Sequence, residues 1–432
     1  MAVQNPVIVV GGIGGSVLRD TYPVAPETVW SIGVGEHGRI ALHPDDRRYE
    51  RDEPARVTGG GLFTIPYEEL VLELRHELTD NANDPVPVYP FGYDWRQPLE
   101  TTEAELDKLV DETIGRTLLR RNYHASKEYA NAPKVDLVGH SMGGLIITGY
   151  LQRKGRAARV GKVVTLATPY RGSVEAPFRA AVGDGLFGFG QGKRRERETA
   201  RLTPALYYLI PSFAGAAVGP DGKARDLFDV NAWQTSIFRT LARYIQDYGL
   251  KGGDLNAQAR ELLAGMLAEA RAHRARIEGF RPADTNLTEK DWLVIAGVGE
   301  KTRVRMRVTD EGAERDFEFL SEDYVNSWAS SDPVQKAQTG DGTVPFPGAN
   351  PAFIRPESIV CVSAGDLEPW ELEDRGLLST IGLHATMPKM SLVGRLIVSH
   401  LAGRSVRNTW GRPAPGFMKD TWDPPIEGLE AR

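Results

Sequence analysis

The stretch VDLVGHSMGGLIITGYL, residues 135–151, constrains this chain more than any other. Val135–Val138 reads as a short buried β run of a parallel sheet, and helical spacing follows from Gly143 to Arg153. An ordinary strand-to-helix turn does not need Gly139, Gly143 and Gly144 around one hydroxyl. A turn that holds Ser141 at a strained, exposed apex does, because side chains two residues to either side would collide. G-x-S-x-G between a strand and a helix therefore marks Ser141 as a candidate nucleophile at the carboxyl edge of a sheet. The backbone N–H of Met142 opens the helix and points toward negative charge developing at that apex, where the helix dipole has the matching sign. The bland alternative is a structural turn with an incidental serine.

A serine hydroxyl needs a base, and the base an orienting acid. In a fold with this turn the chain order is Ser, then Asp or Glu, then His. Three histidines follow Ser141. His273, within the charged EARAHRARIE, is expected to be solvated, and His400, in RLIVSHLAG, to end a helix. His384, in TIGLHATMP, falls in a predicted loop between the last strand and a closing helix, where the base belongs. Asp341 lies in the glycine turn TGDGTVPFPG and is the candidate acid, while Asp332 and Asp366 read as turn residues. The loop GGIGGS after Val7–Val10 is the natural source of a second oxyanion donor. It also approximates a dinucleotide loop, but lacks the full spacing, a prompt helix and an acidic residue ending a second strand.

Short apolar runs alternate with helical segments from Val7 to Leu166 and resume at DWLVIAG (Asp291–Gly297) and ESIVCVSA. This is the pattern of a mostly parallel α/β sheet with helices on both faces. Helices are predicted over Tyr67–Leu78, over Thr101–Lys127 with a threonine cap, and over Pro388–Leu401. TRVRMRVTDEGAERDFEFL reads as a β-hairpin. Leu18–Pro66 reads as polar and irregular, and residues 170–290 hold no comparable buried strand. The expected organisation is a core of residues 1–169 and 291–403, a cap insertion over 170–290, a possible lid at about 20–58, and an irregular tail over 404–432.

A net charge of −6 with mixed signs gives no global basic field for nucleic acid. The one cysteine, Cys361, cannot form an intrachain disulfide and reads as a small buried hydrophobe. MAVQNPVIVVGG has no basic n-region and too short an apolar run for a signal or membrane segment. The expectation is a soluble cytoplasmic protein, with transient membrane association left open. The apolar block Leu202–Val218 brings Leu206, Tyr207, Leu209 and Ile210 together on one turn between Pro204 and Pro211. It either buries within the cap, or lines an acyl groove and, with Arg194, Arg195 and Arg197, meets an anionic lipid surface.

Together these segments resemble the lecithin:cholesterol acyltransferase and lysosomal phospholipase A2 family within the α/β-hydrolase fold. VVGGIGGSVL, GLFTIPYEELVLEL, YDWR (Tyr93–Arg96), GHSMGG, ATPYRGS, RLTPALYYLIPS, GDGTVP and HATM follow in family order over most of the chain. The resemblance implies that the N–H of Ile13 completes the oxyanion hole. YDWR matches a family hallmark, and Asp94, Trp95 and Arg96 are expected to shape the loop beside the site, the bland alternative being an ion pair and an aromatic core contact; Tyr93, Asp94 and Trp95 are substrate-pocket candidates. Tyr170, Leu206 and Tyr207 are further substrate-pocket candidates. The disulfide-pinned lid of secreted members cannot form here, and the family's leading proline-glycine is Gly11–Gly12, so the chain resembles an intracellular, microbial relative. The implied function is a serine acyl hydrolase or acyltransferase for a glycerophospholipid or related lipid ester, needing no cofactor or metal. Alternatives are an esterase for a soluble ester or lactone, and a non-catalytic lipid-binding module that retains the fold. The sequence leaves the oligomeric state open.

Overall fold

The computed structural model describes residues 3–41, 56–183, 193–248, 252–311, 314–371, 376 and 381–432. Its centre is a six-stranded sheet of β1 (Val7–Val10), β2 (Val88–Phe91), β3 (Val135–His140), β4 (Val160–Leu166), β5 (Trp292–Val298) and β6 (Val360–Ser363). Their spatial order is β6-β5-β4-β3-β1-β2, and every neighbouring pair is parallel. All six residues of β3 and all seven of β5 are buried; β5 reads as a continuous apolar run, while β3 is apolar apart from the buried Asp136 and His140. The chain steps from β1 outward to β2 and then returns past β1 to β3. The resulting switch point, where the carboxyl ends of β1 and β3 lie side by side, is where open α/β sheets bind ligands.

Helices α1 (Thr64–Glu77), α2 (Leu99–Leu118) and α3 (Met142–Lys154) connect the first strands, and α8 (Ser391–Ala402) closes the core. Helix α2 packs on α3, and α8 packs on α1 and β4. No described helix is long and apolar enough to cross a membrane. Helix α2 begins at Leu99 behind Pro98 without a side-chain cap, so the expected threonine cap is absent and Thr102 is buried instead. The chain breaks after Leu118 into two short helices, Arg121–Ala125 and Lys127–Asn131.

The expectation of an irregular Leu18–Pro66 is corrected. Ser16–Asp20 pairs antiparallel with both Glu27–Ser31 and Val57–Leu62, and Val34–Gly35 adds a fourth short strand. Of the lid expected at about 20–58, residues 42–55 lie outside the described residues.

Within 170–290 the described elements include α4 (Glu175–Val182), α5 (Lys193–Arg201), α6 (Thr235–Tyr248) and α7 (Leu255–Gly279). The expected hairpin forms, Val308 facing Phe317, and Met306–Glu311 also pairs with Ala217–Val218. His273 is not solvated. It is buried in α7 with Nε2 2.9 Å from the buried Glu103 of α2. The buried Arg274 beside it donates to the carbonyls of Tyr208 and Ile210 and to the Ser212 hydroxyl, fixing the apolar block against α7. The tail is partly ordered into a parallel pair, Trp410–Gly411 with Glu430–Ala431. Arg412 pairs there with Asp366, and Trp422 donates to the Ile359 carbonyl. Burial pushes the Cys361 thiol up to about 12, as suits a packing residue.

Candidate active site

Ser141 stands between β3 and α3 with φ 54° and ψ −126°, a backbone conformation that a non-glycine residue adopts only where its surroundings impose it. Its N–H donates to the Leu166 carbonyl at 2.8 Å, and its carbonyl accepts from Gly144 at 3.1 Å. The flanking glycines are close-packing requirements. A Cβ on Gly139 would lie 2.7 Å from Ile147, and one on Gly143 would lie 2.3 Å from the Val10 carbonyl oxygen. Residues of the motif therefore let α3 start hard against β1.

Ser141 Oγ lies 2.9 Å from His384 Nε2, and His384 Nδ1 lies 2.8 Å from Asp341 Oδ2. The carboxylate can only accept, so Nδ1 carries the proton and Nε2 is left to accept from the serine hydroxyl. The second oxygen of Asp341 accepts the N–H groups of Thr343 at 2.9 Å and Val344 at 2.6 Å, and the backbone N–H of His384 donates to the Asp341 carbonyl. Asp341 is buried by the turn that holds it. His384 is not in a loop as expected. It lies in a helical turn over residues 381–386 that leads into Met387–Lys389.

The loop after β1 runs directly alongside: a Cβ on Gly12 would meet Ser141 Cβ at 2.8 Å. Three aromatic side chains from three other segments pin it. Tyr93 donates to the Gly11 carbonyl at 2.7 Å, Tyr67 accepts from the Gly12 N–H at 2.9 Å, and Trp30 donates to the Gly14 carbonyl at 2.9 Å. Among the described residues the N–H of Ile13 has no acceptor. Met142 is the first residue of α3, so its N–H has no intrahelical acceptor either. Tyr67 also meets His140 Nδ1 at 2.7 Å, and His140 Nε2 meets the His384 carbonyl at 2.9 Å.

A cavity of about 90 Å³ opens over Ser141 and His384. Ile13, Leu206, Leu209, Val344 and Ile381 form its apolar wall, and Glu175 and Arg179 of α4 its polar side. Glu175 is ion-paired with Arg303. Of the six substrate-pocket candidates, Leu206 lines this cavity and the other five do not. Tyr93 is spent on the Gly11 carbonyl, and Trp95 is buried against the Trp30 ring. Asp94 pairs with Arg96, whose guanidinium also donates to the Ile40 carbonyl. Tyr170 donates to Thr165 inside the sheet, and Tyr207 donates to the Arg201 carbonyl beneath Trp233. Leu206, Tyr207, Leu209 and Ile210 are all buried, so they present no apolar face to a lipid surface, whereas Arg194 and Arg195 are exposed. Sequence reasoning missed Tyr67, Trp30 and His140. The only available signal was that His140 is the variable position inside G-x-S-x-G.

A family model described as "Lecithin:cholesterol acyltransferase" matches residues 83–349. A curated relative, "Uncharacterized protein YJR098C" of Saccharomyces cerevisiae (strain ATCC 204508 / S288c), is 24% identical over 241 residues, covering 54% of this chain and 33% of that one. The chain thus matches about a third of that relative's length. Among solved structures, a chain from "The crystal structure of Tle4-Tli4 complex" covers 81% of this chain and 89% of its own length at 16% identity, with a TM-score of 0.54, a likeness of fold. The gene lin2722 product from Listeria innocua covers 94% of this chain and 97% of its own at 13% identity, with a TM-score of 0.32. The family match extends over more than half of the sequence, and it agrees with the parallel sheet and the motif order: this chain belongs to the lecithin:cholesterol acyltransferase family and has the α/β-hydrolase fold.

Proposed function

We propose that this protein is a serine acyl hydrolase or acyltransferase that cleaves an ester bond of a glycerophospholipid or related lipid. The observation that carries the reading is the continuous series Ser141 Oγ, His384 Nε2 and Nδ1, Asp341 Oδ2, at 2.9 and 2.8 Å, opening onto an apolar cavity. His384 takes the Ser141 proton as Oγ attacks the ester carbonyl, and Asp341 stabilises the imidazolium that forms. The N–H groups of Ile13 and Met142 receive the oxyanion. His384 then protonates the leaving alcohol, and the acyl-Ser141 ester passes to water or to an acceptor alcohol activated by the same imidazole. This chemistry calls on no metal or cofactor. In the same reading residues 170–290 act as a cap, with Leu206 and Leu209 beside the acyl chain and Arg194, Arg195 and Arg197 toward an anionic lipid surface.

The second reading, an esterase for a small soluble ester, draws on the modest cavity volume and on the burial of the apolar block. Turnover on phospholipid vesicles and on short soluble esters separates the two. The lipid reading predicts fatty-acid release from vesicles, acyl transfer to an added alcohol, and salt-sensitive vesicle binding by the Ser141→Ala protein that weakens when the three arginines become Gln. Turnover confined to soluble esters, with no vesicle binding at low salt, would sink it.

A further inference from the structure

The hydrogen bonds around Tyr67 and His140 can be oriented without ambiguity. The Gly12 N–H can only donate, so Tyr67 Oη accepts it at 2.9 Å. The single phenolic proton then goes to the other neighbour, His140 Nδ1, at 2.7 Å. With Nδ1 accepting, the imidazole proton sits on Nε2 and is donated to the backbone carbonyl of His384 at 2.9 Å. The series runs from the loop beside Ser141 to the main chain of the residue whose ring contacts Ser141. Each donor meets one acceptor, and Tyr67 and His140 are both buried.

We infer that Tyr67 and His140 are positioning residues: together they form a strut that sets the spacing between the oxyanion loop and His384. The inference rests on the serine-hydrolase reading above. Tyr67 projects from α1 and His140 from the end of β3, so the strut ties two long elements to the loop after β1 and to the short helical turn that carries His384. By holding the Gly12 N–H, Tyr67 fixes the Gly11–Gly12 peptide, and the next peptide, which carries the Ile13 N–H, is held through its Gly12 carbonyl by the Gly15 N–H at 3.1 Å, so the two bonds together set the direction of the Ile13 N–H. By holding the His384 carbonyl, His140 fixes the backbone from which the catalytic ring projects. Burial, and then the mutual repulsion that two neighbouring imidazoliums would feel, hold the His140 imidazole well below its ordinary range, so it stays neutral where the strut needs a lone pair on Nδ1. Burial pushes the Tyr67 phenol well above its ordinary range, so it keeps its proton. A positively charged His140 would turn a second N–H on the Tyr67 oxygen and leave the phenolic proton without an acceptor.

The test compares the full-length protein with Tyr67→Phe, His140→Leu, His140→Gln, the double variant Tyr67→Phe/His140→Leu, and Ser141→Ala. The readouts are kcat and KM on a 4-nitrophenyl ester, the rate of fluorophosphonate labelling, and Tm. Tyr67→Phe should lower kcat and the labelling rate in parallel, by roughly tenfold to hundredfold, less than the ~10²–10³ that follows loss of a direct oxyanion donor. KM should stay within about twofold, because the strut acts on the transition state and not on substrate binding. The double variant should lose about as much as the worse single variant, since two members of one strut do not add. His140→Gln, a neutral side chain that can accept from Tyr67 and donate to His384, should run at least about fivefold faster than His140→Leu. A Tyr67→Phe protein with unchanged kcat, a loss seen in KM alone, or a His140→Gln protein no faster than His140→Leu would overturn the strut. Should His140→Leu fail to fold, Tyr67→Phe decides. Wild-type protein that neither labels nor turns over, or Ser141→Ala protein that does both, overturns the underlying serine-hydrolase reading instead.

Discussion

At the scale of single residues, Asp341 is committed on both oxygens. One oxygen faces His384 Nδ1, and the other accepts two backbone N–H groups. An Asp341→Asn side chain must keep its oxygen on the two N–H groups, which turns its NH₂ toward Nδ1. The imidazole then has to accept there and carry its proton on Nε2, so it no longer takes the proton of Ser141. We expect kcat to fall by about 10⁴ with little change in Tm. Asp366→Asn should do the reverse, because Asp366 is tied to Arg412, Trp410 and the Ser363 N–H, away from the site. Full activity in Asp341→Asn with loss in Asp366→Asn would refute the assignment. Ser141, Asp341 and His384 could be picked out as candidates because the proposed chemistry demands particular residue types in a fixed chain order. Tyr67 and His140 could not. They are 73 positions apart, and nothing local in either segment announces a hydrogen bond to the other.

At the scale of elements, the strand Val57–Leu62 shows why part of the fold stayed hidden. VTGGGL has no apolar alternation and is half glycine, so it reads as loop. The glycines are there because the strand crosses the YDWR segment at backbone contact: a Cβ on Gly59 would lie 2.3 Å from the Tyr93 carbonyl carbon. Arg96 joins the same elements. Fully buried, it holds Asp94, the Ile40 carbonyl and, at 3.5 Å, the Val57 carbonyl. Breaking a buried pair on one side costs about 3 kcal/mol, so Arg96→Ala should lose stability and turnover together, as read by urea unfolding beside kcat. Normal unfolding with lost turnover would point to substrate contact instead. Gly143→Ala forces its Cβ onto the Val10 carbonyl and must push α3 away from β1. We expect fluorophosphonate labelling to collapse in that variant. Labelling at the wild-type rate would show that the close approach is dispensable.

Across the whole molecule, alternation of short apolar runs with helices was enough to announce the parallel sheet, because a strand buried on both faces is mostly apolar. The interface between α7 and the helices of the core was not announced. EARAHRARIE looks like a solvated face, yet it buries His273 and Arg274 against Glu103 and the Tyr208 carbonyl. A helix that buries polar side chains against hydrogen-bond partners has no distinctive spacing. Global stability also carries a titration signature from the start of β3. Burial pushes the Asp136 carboxyl up to about 6, against hydrogen bonds from Asn5, the Lys162 N–H and Gln4. Between the ordinary carboxylate range near 3.8 and about 6, the unfolded chain has released this proton while the folded chain retains it. The unfolded state therefore binds fewer protons there, and this group's contribution to stability falls as pH rises through that window, by about 3 kcal/mol in all. Asp136→Asn, with Gln4 free to rotate its amide, should lack that slope. Unfolding free energies measured from pH 4 to 7 for the two proteins should converge at the acid end and separate toward neutrality. Parallel curves would mean that Asp136 is ionised in the folded protein at the acid end too.

The central claim is a covalent acyl ester on Ser141, and intact-protein mass spectrometry after rapid acid quench of the enzyme with a phospholipid or an activated ester reads it directly. The account predicts one added acyl mass, mapped by proteolysis to the peptide containing Ser141, accumulating further in His384→Ala if that variant still acylates slowly, and absent from Ser141→Ala. Substrate turnover with no acyl adduct on the wild-type protein under burst conditions, or an adduct that persists in Ser141→Ala, would contradict it.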